Sequence, residues 1–244
     1  MAFDEAGMEN AGRERAGLKR ANGRLEALAG RSPEPDADGD AVPFALPVRM
    51  RDVLRAATDR DHRELDALVG EVWESRAAYV AYLAMNHLAH RVLEPVLETA
   101  LDRFEALRPY HCVRGALLAD LEALGERSGR GDGPAAPVAC DLPAAIGLIY
   151  VLEGSRLGAR MLHGRVASAP WRSVSSDLPM TFFEASRSTE NFNGRMAHLE
   201  QLISGRTALD ASVASARAAF ALFRDAAERA RQFQPARVDR KDAR

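Results

Sequence analysis

The 244-residue chain contains only two cysteines, Cys112 and Cys140, and they are not spaced as a CxxC pair. That rules out a disulfide framework, a zinc ribbon and a redox motif, so both read as free thiols in a reducing compartment. The opening "MAFDEAGMENAGRERAG" lacks the apolar stretch of a secretory signal. No run approaches the roughly 20 apolar residues of a membrane span. Lysines and arginines number 33 against 35 aspartates and glutamates, a formal net charge of −2, so no basic excess points to nucleic acid. Alternation of β-branched and polar residues long enough for a sheet is also missing. The expectation is a cytoplasmic, all-α chain with neither membrane nor nucleic acid among its partners.

Helical apolar spacing fills the middle of the chain. Helices are expected from about 49 to 70, 75 to 107, 110 to 127, 141 to 168, 181 to 204 and 208 to 232, with Pro95 kinking the second. "SGRGDGPAAP", 128–137, is a loop. Ahead of the first helix, "RSPEPDADGDAVPFALP" reads as a linker, which makes residues 1–48 a flexible N-terminal extension. The expected organisation is one helical domain over 49–232 and a disordered tail over 233–244.

The first helix contains "ATDRDHRELD", 56–65. At helical spacing Arg51, Arg55, Thr58, His62, Asp66 and Val69 share one line, beside an apolar stripe of Leu54, Leu65 and Leu68. His62 therefore lies at the edge of the buried face. Asp66, one turn on, is placed to accept the proton of one ring nitrogen, directly or through water, and so leave the other for a metal. Arg55 is displaced by about 10 Å along the axis, a suitable reach to a carboxylate on the rim of a flat ligand centred on His62. The plain alternative is a half-exposed histidine on a charged helix. A single histidine makes a metal site mainly when the metal arrives already chelated, as in heme.

A second unusual stretch is "AAIGLIYVLEGSRLGARMLHGR", 144–165, an apolar helix with glycines at 147, 154, 158 and 164. Each interior glycine costs about 0.5–1 kcal/mol relative to alanine. Gly147, Gly154 and Gly158 fall on one line, flanked by Tyr150, Val151 and Met161. Such a bare groove suits a large flat partner, with Tyr150 and Val151 as its apolar borders. Close crossing by another helix is the competing explanation. A phosphate loop is excluded because no strand precedes the glycines.

The remaining candidates read as structural. His87 and His90 are spaced i, i+3 but lack a third ligand. His111, His163 and His198 have no evident partner residues. Phe182, Phe183, Phe220 and Phe223 read as core. Arg156 and Arg160 lie opposite the glycine line, near Glu153, as a solvated or partner-facing edge. Glu64, Glu94 and Glu153 do not form the carboxylate set of a di-iron oxidase.

"LRAATDRDHRELD" followed by "YVLEGSRLGARML" resembles the bacterial heme oxygenases, especially the biliverdin-forming type found beside bacteriophytochromes. Leu54, Arg55, Ala57, Thr58, His62 and Asp66 match the proximal-histidine helix of that family, and Glu153, Gly154, Ser155, Leu157 and Gly158 match its distal helix. Weaker similarity runs through "MNHLAHRVLEPVL", "TFFEASRSTENFNGRMAHLEQL" and "ARAAFALF", so the resemblance spans about 49–232.

The resemblance implies a single-domain, heme oxygenase-like helical bundle with heme as both cofactor and substrate. His62 would be the iron ligand and Asp66 its acidic partner. Arg55 would face a propionate, and Gly154 and Gly158 would let the distal helix bend over the iron. Ser155, where some members carry an aspartate, would lie beside ordered water that delivers protons. Arg195 and Arg187 are candidates for the second propionate. The implied reaction opens heme to biliverdin, CO and iron. An external ferredoxin or reductase would supply electrons, since no nucleotide or flavin motif is present, and a bacteriophytochrome is a conceivable recipient of the product. The alternative on the same scaffold is a non-catalytic heme sensor or carrier.

Overall fold

The computed structural model describes residues 49–126, 140–174, 178–187 and 191–231; the leader over 1–48, the loop over 128–137 and the tail over 233–244 fall outside the described residues. Among the described residues there is no strand. The helices are α1 (Met50–Val69), α2 (Arg76–Arg103), α3 (Arg114–Ala123), α4 (Leu142–Ala167), α5 (Thr181–Arg187), α6 (Phe192–Glu200) and α7 (Gly205–Ala230). Short 3₁₀ turns occupy Glu105–Leu107 and Pro170–Val174.

Local chemistry sets the helix starts. Ser75 Oγ accepts from the Ala78 amide at 3.1 Å ahead of α2, and Asp141 Oδ1 accepts from the Ala144 amide at 2.9 Å ahead of α4. α1 ends at Gly70, whose φ of 64° is cheap only for glycine.

Three expected helices differ from the structure. The second ends at Arg103, and the third begins only at Arg114, because Arg108–Pro109 intervenes and Pro109 has no amide to continue a helix. The start of α3 is instead held by Glu94, which accepts the amides of Val113 at 2.8 Å and Arg114 at 3.2 Å. The expected helix over 181–204 is two helices. Asp120, fully buried, accepts the amides of Thr181 and Phe182, each at 2.9 Å, and caps α5. Asn191 Oδ1 accepts from the Gly194 amide at 3.1 Å and starts α6 afresh. Pro95 lies inside α2 without ending it.

α7 is the spine, packed by α4, α1 and α2. Its buried face carries Ala216, Ala219 and Ala226 alongside Phe220 and Phe223, and the small residues let neighbouring helices come close. α2 contributes the fully buried Tyr79, Leu83, Leu93 and Leu97, each large side chain supplying about 1.5–3 kcal/mol of burial.

The contacts along α7 fix helix direction. On the α4 side, Ser212 Oγ donates to the Pro143 carbonyl at 2.7 Å, and Phe223 stacks edge-on against His90, which touches Ser155. On the α1 side, Arg217 Nε donates to the Ala57 carbonyl at 3.0 Å, and Arg224 pairs with Asp61 and Glu64. Residue numbers rise together on all three helices, so α1 and α4 both follow α7 in the same direction.

Candidate functional site

On α1 the His62 ring is oriented by its own helix. Nδ1 lies 2.9 Å from Asp66 Oδ2, the i, i+4 spacing that a helix provides. With Asp66 as an ionised acceptor, Nδ1 carries the proton and Nε2 is left as the available lone pair. The two side chains are 62% and 66% exposed, and the imidazole meets Phe220 of α7 edge-on with ring centroids 5.8 Å apart. An exposed imidazole with one fixed tautomer and one aromatic neighbour is suited to ligate something that arrives from outside.

The glycines of α4 divide into two kinds. Gly147 belongs to a helix crossing, since a Cβ there would run into the Ser212 carbonyl and crowd the Ala216 amide of α7. Gly154 and Gly158 are different. Both are partly exposed, and a Cβ at either would meet nothing within 4 Å. The bare line expected from the sequence is therefore corrected to its second half, and the close crossing that competed with it occupies the first. Gly154 and Gly158 border open space.

Tyr150 joins the two helices. Its hydroxyl approaches Thr58 of α1 and senses the charges of Arg55 and Arg51; burial pushes its pKa up, and those neighbours oppose the shift only in part. Thr58 is buried and donates to the Leu54 carbonyl at 2.8 Å, and the Tyr150 ring leans on Phe192 of α6 at 6.2 Å. His62 lies one turn beyond Thr58, Gly154 one turn beyond Tyr150, and both helices run the same way. Thr58 and Tyr150 thus bring α1 and α4 together one turn ahead of His62 and Gly154.

The other expected site residues are distributed as follows. Arg55 is exposed on α1. Val151 is buried, so it packs into the bundle, whereas Met161 is 75% exposed. Arg195 is held by the turn after α2, its guanidinium donating to the carbonyls of Leu107 and Arg108. Arg187 ends α5 and is exposed. Phe182, Phe183, Phe220 and Phe223 are core residues, as expected. Arg156, expected on a solvated edge, is instead buried, paired with Glu153 at 3.2 Å and donating to the Ala185 carbonyl.

Behind α4 lies a polar cluster built on His90, one of the two histidines of α2 expected to be structural. His90 Nε2 is 3.1 Å from Ser155 Oγ, and His90 Nδ1 is 3.0 Å from Glu94 Oε1. His90 and Glu94 are both fully buried. Glu94 also accepts from the Tyr110 hydroxyl at 3.1 Å. Burial alone would raise its pKa, yet the hydrogen bonds from His90, Val113 and Arg114 hold it below the usual carboxylate range. One turn before His90, Asn86 is buried with an unpartnered Oδ1. The signal for this cluster was the His90–Glu94 spacing of four, overshadowed by the His87–His90 spacing of three. His87 itself is buried, and burial lowers its pKa, assisted by Arg91.

Among the described residues no three His, Cys, Asp or Glu side chains cluster to hold a metal ion. A metal at His62 must therefore bring its other ligands with it. The available imidazole nitrogen, the aromatic neighbour and the two open glycines fit a flat, pre-chelated metal such as heme. No helix among the described residues is long and apolar enough to cross a membrane.

No family model matches the chain. It is 31% identical over 118 residues to the heme oxygenase PigA of Pseudomonas aeruginosa, a stretch covering 47% of this chain and 60% of that protein. Its fold matches the NO- and CO-bound heme oxygenase from Neisseria meningitidis with a TM-score of 0.62 at 22% identity, covering 78% of this chain and 95% of the other. The sequence likeness thus spans less than two thirds of the Pseudomonas protein, and the fold of the described helices is that of the Neisseria protein.

Proposed function

We propose that this chain is a heme oxygenase that opens heme to biliverdin, CO and ferrous iron, with O₂ and externally supplied electrons. The reading is carried by His62, whose Nδ1 is held by Asp66 on α1, taken with the open space at Gly154 and Gly158 on α4. Bound heme supplies the oxygen chemistry, and the protein supplies binding, orientation and exclusion of competing reactions.

Each residue then has a defined task. His62 Nε2 ligates the iron as a neutral imidazole, and Asp66 raises its basicity and holds the ring. Arg55, exposed on the same line of α1, offers a guanidinium to a propionate. Tyr150 keeps α1 and α4 at a fixed separation through Thr58. Gly154 and Gly158 would present a wall of backbone instead of side chains to bound heme, with no side chain of their own to crowd it. Val151 anchors that wall in the bundle, and Arg195 fixes α6 against the turn at Leu107. Ser155, directly after Gly154, is the nearest hydroxyl on α4.

The chain carries no nucleotide or flavin motif, so the electrons come from a separate ferredoxin or reductase. The resemblance to enzymes found beside bacteriophytochromes makes such a photoreceptor the candidate recipient of biliverdin. A cytoplasmic setting agrees with this chemistry and with two unpaired thiols.

The decisive experiment titrates the purified chain with hemin and then adds reductant in air. A Soret band that saturates and is replaced by a biliverdin spectrum is the expected result. Stable hemin binding without ring opening would make the chain a heme carrier instead.

A further inference from the structure

α1 is held unevenly along its length. Its buried side chains, Met50, Leu54 and Thr58, all lie in the first half. Beyond Thr58 the helix carries His62 and Asp66 and has no buried residue; Leu65, Leu68 and Val69 are only partly buried against the core. Apolar packing therefore fixes the start of α1 more firmly than the half that presents the imidazole. The direction of the ring then depends on what else ties that half to its neighbours.

α7 supplies that tie. Arg217, Phe220 and Arg224 follow one another on one side of the helix. They meet α1 in order. Arg217 Nε donates to the Ala57 carbonyl at 3.0 Å, and the Phe220 ring meets the His62 imidazole edge-on with centroids 5.8 Å apart. Arg224 Nη1 pairs with Asp61 Oδ1 and lies 3.4 Å from Glu64 Oε2. Asp61 and Glu64 are spaced i, i+3 and share one face beside His62, so a single guanidinium grips the helix through both. The other ion pairs of this half are of another kind. Arg60–Glu64 and Arg63–Asp59 lie within α1, and their arginines are 86% and 73% exposed. Pairs of that sort contribute little. Arg224 and Asp61 are 26% and 20% exposed and join two helices, so water screens them less.

We propose that Arg224 is a positioning residue for His62: through Asp61, with Glu64 as the second carboxylate, it clamps the ligand-bearing half of α1 onto α7 and holds the imidazole against the Phe220 ring. This deepens the heme oxygenase reading and rests on it. Asp66 settles which ring nitrogen is bare, and Arg224 settles where that nitrogen points. The clamp acts by charge and geometry alone, and the guanidinium keeps its charge at every pH the protein meets.

The test compares Arg224→Gln, Arg224→Lys and the gentler Asp61→Asn with the parent chain. In the heme-free protein, the ring current of Phe220 displaces the NMR signals of the carbon-bound ring protons of His62. Arg224→Gln and Asp61→Asn should move those signals toward the values of an unconstrained histidine. Arg224→Lys, which keeps the charge, should leave them near the parent's. In the ferrous hemin complex, the iron–histidine stretching band should broaden in Arg224→Gln and Asp61→Asn. Hemin should also dissociate about tenfold faster from both, the lower end of the range for outer partners of a metal site. Combining the two substitutions should add nothing further, since each removes the same interaction. A role in stability alone would lower the melting temperature and leave the His62 signals of the folded protein in place. That outcome, with an unmoved stretching band, overturns the clamp and leaves the functional reading intact. Failure of the parent chain to bind hemin overturns both.

Discussion

Gly147 sits against the Ser212 carbonyl of α7: a methyl group at Gly147 would overlap it, whereas one at Gly154, on the same helix, would enter open space. Two glycines of the same sequence pattern therefore serve different ends. Gly147→Ala forces α4 and α7 apart and should lower stability by about 1–3 kcal/mol, the ordinary cost of overpacking. Gly154→Ala and Gly158→Ala remove a helix-breaking residue without a clash and should each raise stability by up to about 1 kcal/mol. The same two variants should weaken hemin binding or turnover. Thermal denaturation set beside hemin titration distinguishes the two kinds.

Much of this was legible in the sequence because helical period carries the information. His62, Asp66 and Thr58 share a line at spacing four, and the structure returns that line with the His62–Asp66 contact formed. Gly154 and Gly158 could be flagged by their cost, but spacing alone did not separate them from Gly147, because what lies across a groove depends on α7, far along the chain. Arg156 misled for a related reason: beside Glu153 it looks like a surface pair, and only the packing of α5 buries it. The start of α5 depends on Asp120, whose carboxylate accepts the Thr181 amide from a position 61 residues upstream. Long-range contacts of this sort leave no local signature.

His62 is exposed and packs on little besides Phe220, so its removal should leave the fold intact. His62→Ala is expected to unfold within about 0.5 kcal/mol of the parent, as surface substitutions do. It should lose the parent's hemin Soret band, and added imidazole should restore part of it by entering the vacated place. Asp66→Asn keeps the size of the side chain but removes its charge, and should cost about 10–100-fold in hemin affinity. A hemin titration of the three proteins, monitored by absorbance, tests the order parent, Asp66→Asn, His62→Ala.

The two thiols should be sluggish nucleophiles despite being unpaired. Burial pushes the Cys112 thiol up to about 12, assisted by its hydrogen bond to Glu98, and burial pushes Cys140 up to about 11. Thiolate is the reactive form, so near pH 8 both should react with iodoacetamide at least about tenfold more slowly than a free thiol of ordinary pKa. Glu98→Gln removes one cause of the Cys112 shift and should speed that residue alone. Mass spectrometry of the alkylated peptides separates the two positions.

Acid should destabilise the domain in two stages that can be assigned. Folding lowers the pKa of His87 below 6.5, chiefly because burial disfavours its charged form. The folded state therefore binds this proton less readily than the unfolded chain, and the stability it contributes is complete above pH 6.5 and lost as pH falls through the folded value. Glu94 is lowered from 4.5, with burial opposed and outweighed by the bonds from His90, Val113 and Arg114. Its contribution is complete above pH 4.5 and lost as pH falls below that. Denaturant melts across pH 3–8 should thus show stability declining first below about pH 6.5 and again below about pH 4.5. His87→Gln should flatten the upper decline, and Glu94→Gln the lower. Glu94→Gln should also be less stable at neutral pH, because a neutral amide is a weaker acceptor for the same donors and its NH₂ group faces a cage of protons. A wild-type profile flat from pH 7 down to pH 4 would show that neither buried group is held in the protonation state the packing requires.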